Sequence, residues 1–284
     1  MKLIKNLLGI ACCLTSLITY AQTDLEQPHY IEKSTLNASI TLGYGGIENP
    51  VINADNITSP VLPSLAYYGE HWYFDDFSVG YSLLETPSYY LDLFGRFNDD
   101  GFFFELDGID KLFAVSAVSS KSGGRPSIPS ATPINLTAIE RDLSYMVGLS
   151  SAVQLYDDVW LNTAFVQDVT DVHNGHEFFV NVYRNFEMFF GLASLEIGAV
   201  YKNSELIEYY YTVAAGESKT RLPHYNLTSA INYHVKASYS YPINESVSID
   251  LKLKHTWLDS NLAHSQMVDK GGYFSGFAGV TYHF

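Results

Sequence analysis

Cysteine is almost missing from this chain: its 284 residues hold two, Cys12 and Cys13, both inside an N-terminal apolar run. Lys2 and Lys5 precede that run, Leu7 to Ile18 forms it, and Thr19-Tyr20-Ala21 before Gln22 supplies a small-residue cleavage site. Residues 1–21 therefore read as a secretory signal, with the apolar stretch too short for a membrane anchor. A lipoprotein reading needs its cysteine at the cleavage point, and Gly9-Ile10-Ala11-Cys12 leaves too little apolar chain ahead of it. With cleavage after Ala21 the mature chain has no thiol. That excludes disulfides, thiol enzymes and cysteine-type zinc sites.

Positive charge is also scarce. Sixteen Lys and Arg face 31 Asp and Glu, a net charge of −15 that becomes −15 − 2 = −17 without Lys2 and Lys5. Such a chain lacks the clustered cations that phosphate contacts need, so nucleic acid is not a partner. Long apolar runs are absent beyond the signal, and mean hydropathy is near zero, which excludes a helical inner-membrane protein. Disorder is excluded by what is plentiful, 22 Tyr and 17 Phe. The length suits one domain.

What the sequence does have is alternation. In Gly271 to Phe284, residues Phe274, Gly276, Ala278, Val280, Tyr282 and Phe284 share an apolar face, while Tyr273, Ser275, Phe277, Gly279, Thr281 and His283 share a wetter one. A final aromatic on the apolar face, with Tyr282 and Val280 behind it, resembles the C-terminal signal that outer-membrane insertion machinery reads. Ile231, Tyr233, Val235, Ala237, Tyr239 and Tyr241 alternate with polar residues in the same way. After the turn at Pro242 to Glu245, so do Val247, Ile249, Leu251, Leu253 and Trp257. Two long strands on so short a turn form an antiparallel meander. Further segments are Ala38 to Gly45, Leu62 to Tyr68, Trp72 to Leu84, Tyr89 to Phe97, Leu143 to Leu155, Val159 to Phe165, Phe178 to Phe186, Leu192 to Tyr201 and Leu206 to Val213. Asn98 to Arg141 reads either as a long Ser/Gly/Pro connection or as one more hairpin.

Alternation alone also fits a soluble sandwich. Strands of roughly ten residues, with Tyr and Trp at their ends, instead favour a membrane barrel with aromatic girdles. The fold expected is a transmembrane antiparallel up-and-down β-barrel of about 12 strands, with 10 or 14 as alternatives. It would occupy residues 38–284 behind a periplasmic lead-in at 22–37, in the outer membrane of a Gram-negative bacterium. Asp92, Arg96, Asn232, His234, Lys236, Asp250, Lys252 and Lys254 then fall on the lumen side. They could line a narrow polar channel, but a barrel of this size more often fills its interior with paired charges. The Tyr-rich segments, Tyr209-Tyr210-Tyr211 among them, read as girdle.

Several short stretches resemble the MipA/OmpV family of outer-membrane proteins, the MltA-interacting protein and its relatives. They are Thr41-Leu42-Gly43-Tyr44-Gly45-Gly46, Leu62-Pro63-Ser64-Leu65-Ala66-Tyr67, Asn174-Gly175-His176, Tyr209-Tyr210-Tyr211-Thr212-Val213, Arg221-Leu222-Pro223-His224-Tyr225 and Gly279-Val280-Thr281-Tyr282-His283-Phe284. The resemblance covers nearly the whole mature chain. It implies a non-enzymatic barrel without cofactor, a scaffold joining a lytic transglycosylase to a penicillin-binding protein for murein synthesis; other members are described as adhesins. Lipids and the insertion machinery would be further partners.

One cluster could carry chemistry. Asp168, Asp171, His173 and His176 have the residue types of a carboxylate-oriented general base. No Gly-x-Ser-x-Gly elbow accompanies them, so the bland reading is a solvated turn between Phe165 and Phe178. His173 and His176 as metal ligands are likewise outweighed by simple exposure. No catalytic or metal residue is assigned.

Overall fold

The structure, a computed structural model, describes residues 34–52, 54–104, 139, 141–213, 217 and 227–284. The signal at 1–21, most of the lead-in, the middle of Asn98–Arg141 and the Arg221–Tyr225 stretch lie outside them.

Twelve antiparallel strands close into one barrel. They are β1 (Leu36–Ile47), β2 (Ile57–Tyr68), β3 (Trp72–Asp75), β4 (Ser78–Thr86), β5 (Tyr89–Phe97), β6 (Tyr145–Tyr156), β7 (Val159–Asp168), β8 (His176–Met188), β9 (Gly191–Lys202), β10 (Ala230–Asn244), β11 (Val247–Trp257) and β12 (Gly272–His283). Each pairs with its sequence neighbours, and β1 pairs with β12 from Ser39↔His283 to Ile47↔Ser275. Pairing of β1 with β12 closes the sheet on itself, as a lipid environment demands.

The alternation becomes two faces. On β11, Ile249, Leu251 and Leu253 are exposed while Ser248 and Thr256 are buried; on β10, Ile231 and Tyr233 are exposed while Asn232 and His234 are buried. A β-barrel that turns its apolar side outward is built for hydrocarbon. Exposed aromatics (Trp72, Tyr156, Trp257, Tyr282 and Phe284) stand near strand ends. Two-residue turns at 87–88, 157–158, 189–190 and 245–246 gather at one end, and longer loops at the other. Short turns mark the periplasmic end of such barrels. The wall is drawn tight where glycine allows it: a Cβ on Gly148 would overlap the Phe165 carbonyl of β7.

The strand count of twelve holds with two changes of membership. Trp72 to Leu84, expected as one segment, is the two strands β3 and β4, broken by a turn at Asp76–Phe77 where Asp76 has φ 51°. Leu206 to Val213, counted among the strands, is instead mostly helix: α1 spans Ser204–Tyr211. Its Tyr210 and Tyr211 are therefore buried inside the protein rather than part of a girdle.

Candidate functional site: the filled outer mouth

Helix α1 follows β9 and folds over the long-loop end of the barrel. Asn203 caps it: its Oδ1 accepts from the Leu206 N–H at 3.5 Å and from the His176 N–H at 2.9 Å. Leu206, Ile207, Tyr210 and Tyr211 fall on one helical face and are fully buried. They pack with Met146, Val166 and Phe179 of the barrel wall and with Leu227, Leu262 and Val268 of the outer loops. At the helix C-terminus Arg141 donates to the Tyr209 and Thr212 carbonyls and pairs with Glu217, supplying the cation that the last turn lacks.

Beneath the helix lies an ion cluster. Lys202, at the end of β9, forms a direct ion pair with Asp100 and stands 3.6 Å from Glu177. The Tyr211 hydroxyl donates to the other Asp100 oxygen at 2.7 Å, and Asn98 Nδ2 donates to Glu177 at 3.1 Å. Arg96 pairs with Asp99 at 2.7 Å and lies 4.9 Å from the centroid of the Phe179 ring. Lys254 completes the group, close enough to Asp99 for their charges to interact. Three cations thus meet three anions; of the six, Lys202, Asp100 and Glu177 are buried, where pairing makes the charge tolerable, while Asp99 is exposed. Asp99, Glu177, Lys202, Asn232, His234 and Lys254 line a cavity of about 20 Å³, together with Phe179, Val200, Thr256 and Tyr273. That is room for about one water molecule.

The acid and histidine cluster is not the solvated turn expected from sequence. Asp168 and His173 are both buried. The Asp168 carboxylate accepts from the N–H groups of Thr170, His173 and Asn174, at 2.8, 2.8 and 2.9 Å, so residues 169–175 wrap around it. His173 Nε2 is 2.8 Å from Ser144 Oγ, a contact that resembles a Ser-His-Asp triad. The hydrogen bonds dictate otherwise. The Gly175 N–H donates to His173 Nδ1 at 2.9 Å, so the proton is on Nε2 and points at Ser144. In that tautomer the imidazole cannot accept the serine proton. Burial holds the His173 pKa below its usual value against the charge of Asp168. His176 turns elsewhere, its Nδ1 accepting from Asn203 Nδ2 at 2.9 Å, and Asp171 accepts from Asn174 Nδ2 at 2.7 Å. Among the described residues no group of three acid, His or Cys side chains is arranged to hold a metal ion.

The polar residues singled out from sequence fall into separate groups. Arg96 and Lys254 belong to the ion cluster, with Asn232 and His234 beside its cavity. His234 is 2.9 Å from Glu196, which also lies 3.8 Å from Lys236. Asp92 is buried and accepts from the Tyr73 hydroxyl at 3.5 Å. Asp250 accepts from Ser248 at 2.8 Å and from Thr281, which bonds Thr41 at 2.8 Å across the β1–β12 closure; Lys252 acts on Asp250 through its charge. At the chain end, Val280, Tyr282 and Phe284 are exposed, and Tyr282 and Phe284 meet edge to face at 5.0 Å. Sequence reading missed Asp99, Asp100, Glu177, Lys202 and helix α1. The helix had a signal: Asn203 as cap, then apolar residues at 206, 207, 210 and 211.

A closed antiparallel barrel with an apolar outer face, short turns at one end and packed loops at the other is an outer-membrane β-barrel protein. The chain belongs to the MltA-interacting protein MipA family, whose model matches residues 42–284. It is 28% identical over 147 residues to the outer membrane protein OmpV of Vibrio cholerae, a match covering 51% of this chain and 56% of that one. It is 25% identical over 150 residues to the putative outer membrane protein YiaT of Escherichia coli K12, covering 51% of this chain and 59% of that one. The matches thus span little more than half the length of these relatives. Among solved structures, an outer-membrane channel of Pseudomonas putida aligns over 93% of this chain and 100% of its own, with 9% identity and a TM-score of 0.37.

Proposed function

We propose that this barrel is a non-enzymatic anchor in the outer membrane whose periplasmic end gathers murein-remodelling partners, a lytic transglycosylase and a penicillin-binding protein. The observation that carries this reading is the filled outer mouth. A helix packed on an apolar cluster, above a group of three cations and three anions, fills the mouth among the described residues. The family's name supports the transglycosylase as partner. A feature of the short-turn end supports a contact surface there. Phe189 and Phe190 form a turn with φ 48° and 63° and are 76% and 90% exposed. Such turns normally use Asn-Gly, because bulky side chains are strained at positive φ. Two exposed phenylalanines held in strain call for a use beyond folding.

The test is affinity capture of the tagged protein from crosslinked envelopes, with mass spectrometry of what comes with it. Recovery of a lytic transglycosylase and a penicillin-binding protein above an unrelated barrel is the expected result. Recovery equal to that control refutes the scaffold. A narrow channel is the second reading, favoured by the exposure of Lys236 and Lys252 on the same strand faces as the buried His234 and Ser248. Steady conductance of the purified protein in planar bilayers is its test.

A further inference from the structure

The turn at 169–175, between β7 and β8, ties the start of helix α1 to a single imidazole. Gly175 is pressed against the helix: a Cβ there would stand 2.6 Å from Asn203 Oδ1 and 2.8 Å from the Leu206 Cβ. The next residue, His176, donates its N–H to the same Asn203 oxygen at 2.9 Å. Gly175 is held in place from the other side, where its N–H donates to His173 Nδ1 at 2.9 Å. A displacement of Gly175 is therefore a displacement of the α1 cap.

His173 fits this position as a neutral ring. Both nitrogens are in use: Nδ1 accepts from Gly175, and the Nε2 proton points at Ser144 Oγ, 2.8 Å away. The Tyr210 hydroxyl of α1 reaches the same Ser144 oxygen at 3.4 Å, and the Tyr209 and Tyr210 rings stand 6.1 and 5.6 Å from the imidazole. A second proton can go only to Nδ1. It would set two donors against each other at 2.9 Å, where there is now a hydrogen bond. The carboxylate in reach is Asp168, whose Oδ2 is 3.9 Å from Nδ1. Asp168 is fully subscribed. It accepts the N–H groups of Thr170, His173 and Asn174 and the Thr170 hydroxyl, and a carboxylate offers about four lone-pair sites. A fifth donor must displace one of these, so the turn cannot keep its shape around an imidazolium.

We propose that His173 is an acid-released latch: its protonation drives Gly175 off Nδ1, draws the 169–175 turn toward Asp168 and frees the start of α1 from the barrel mouth. The charges acting on His173 are Asp168 at the end of β7 and Asp100 beyond β5, which favour protonation, and Lys202 at the end of β9, which opposes it. Helix α1 presents Tyr209 and Tyr210, and Asp142, on the segment that carries Ser144, is exposed. Burial outweighs the two carboxylates, so release falls below the ordinary imidazole value of 6.5. A proton biases the two arrangements only by its preference for the released one, about tenfold for each pKa unit that burial removes. The latch belongs to the outer mouth and does not depend on the anchor reading.

The test uses a pair of introduced cysteines, since residues beyond 21 contain none. Glu208→Cys lies on the exposed face of α1 and Asp158→Cys on the short-turn rim, and both carry spin labels in lipid nanodiscs. Double electron–electron resonance at about pH 7.5 and about pH 4.5 brackets the imidazole range. Expected is a single distance at the higher pH and a second, longer population that predominates at the lower, reversed when neutral pH is restored. His173→Gln cannot take up the proton and should hold the single distance at both. A distance distribution indifferent to acid overturns the latch, as does an acid response that His173→Gln retains. Nitrogen NMR of histidine-labelled protein gives a reading that needs no His173 variant. The Nε2–H tautomer of His173 should disappear over the same pH range as the distance change, and midpoints more than about one pH unit apart also overturn the proposal.

Discussion

Replacing Asp100 with alanine should loosen the plug, and the geometry sets the size of the effect. Asp100 is buried and holds two partners, the Lys202 ammonium and the Tyr211 hydroxyl. Its removal leaves Lys202 with Glu177 at 3.6 Å, and Tyr211 with a buried hydroxyl that has lost its acceptor. Breaking one side of a buried pair costs about 3–5 kcal/mol, because the remaining charge stays desolvated. Asp100→Asn keeps an acceptor for Tyr211 and should cost less. Lys202→Met in the Asp100→Ala background removes the stranded charge, so the double variant should be less destabilised than the sum of the singles. The assay is urea unfolding of vesicle-reconstituted protein, followed by the fluorescence of its three tryptophans. Planar-bilayer conductance on the same samples reports whether the mouth opens. An Asp100→Ala midpoint equal to wild type, or strict additivity with Lys202→Met, refutes the idea that this ion pair anchors the plug.

Other substitutions test separate parts of the structure. His173 is neutral in the fold, with its pKa below the ordinary 6.5 because it is buried. As pH falls through 6.5 the unfolded chain binds a proton that the folded one does not, so stability falls with acidification. His173→Gln should flatten that dependence; parallel pH curves for the two proteins exclude His173 as its source. Phe189→Asn with Phe190→Gly should stabilise the barrel by about 2 kcal/mol by relieving positive-φ strain, and should lower partner capture if the turn is the contact. An unchanged unfolding midpoint refutes the strain. Gly148→Ala should cost about 1–3 kcal/mol because its Cβ meets the backbone of Phe165. Gly80→Ala should cost less, because its Cβ meets the Tyr73 ring, which can move. Equal midpoints for the two variants contradict that ranking.

The barrel class was written in the chain itself. Period-two alternation in Ile231–Tyr241, Val247–Trp257 and Phe274–Phe284 sorts side chains to two faces wherever the strand is placed, so neighbouring residues suffice to reveal it. The short family stretches carried the kinship for the same reason. Where the pattern was weak, reading along the chain failed. Leu206–Val213 has both apolar density and a helical spacing, and only packing over the mouth against Met146, Val166 and Phe179 selects the helix.

The plug's ions were beyond reach of sequence. Asp100 and Lys202 are 102 positions apart, and Asn98 and Glu177 are 79, so their meeting depends on barrel closure and not on spacing. His173 looked solvent-exposed because its turn is rich in Asp, Asn and Gly. In the fold those groups point inward at one another, and the Gly175 N–H fixes the tautomer. Pro60 and Pro63 are visible in the sequence, but that β3 stops four residues after it starts is a property of register. Sequence by itself determined that this chain forms an outer-membrane barrel, since lipid imposes one alternation on every strand. What fills the mouth of the barrel was decided by tertiary structure, because its residues lie far apart in the chain and closure alone brings them together.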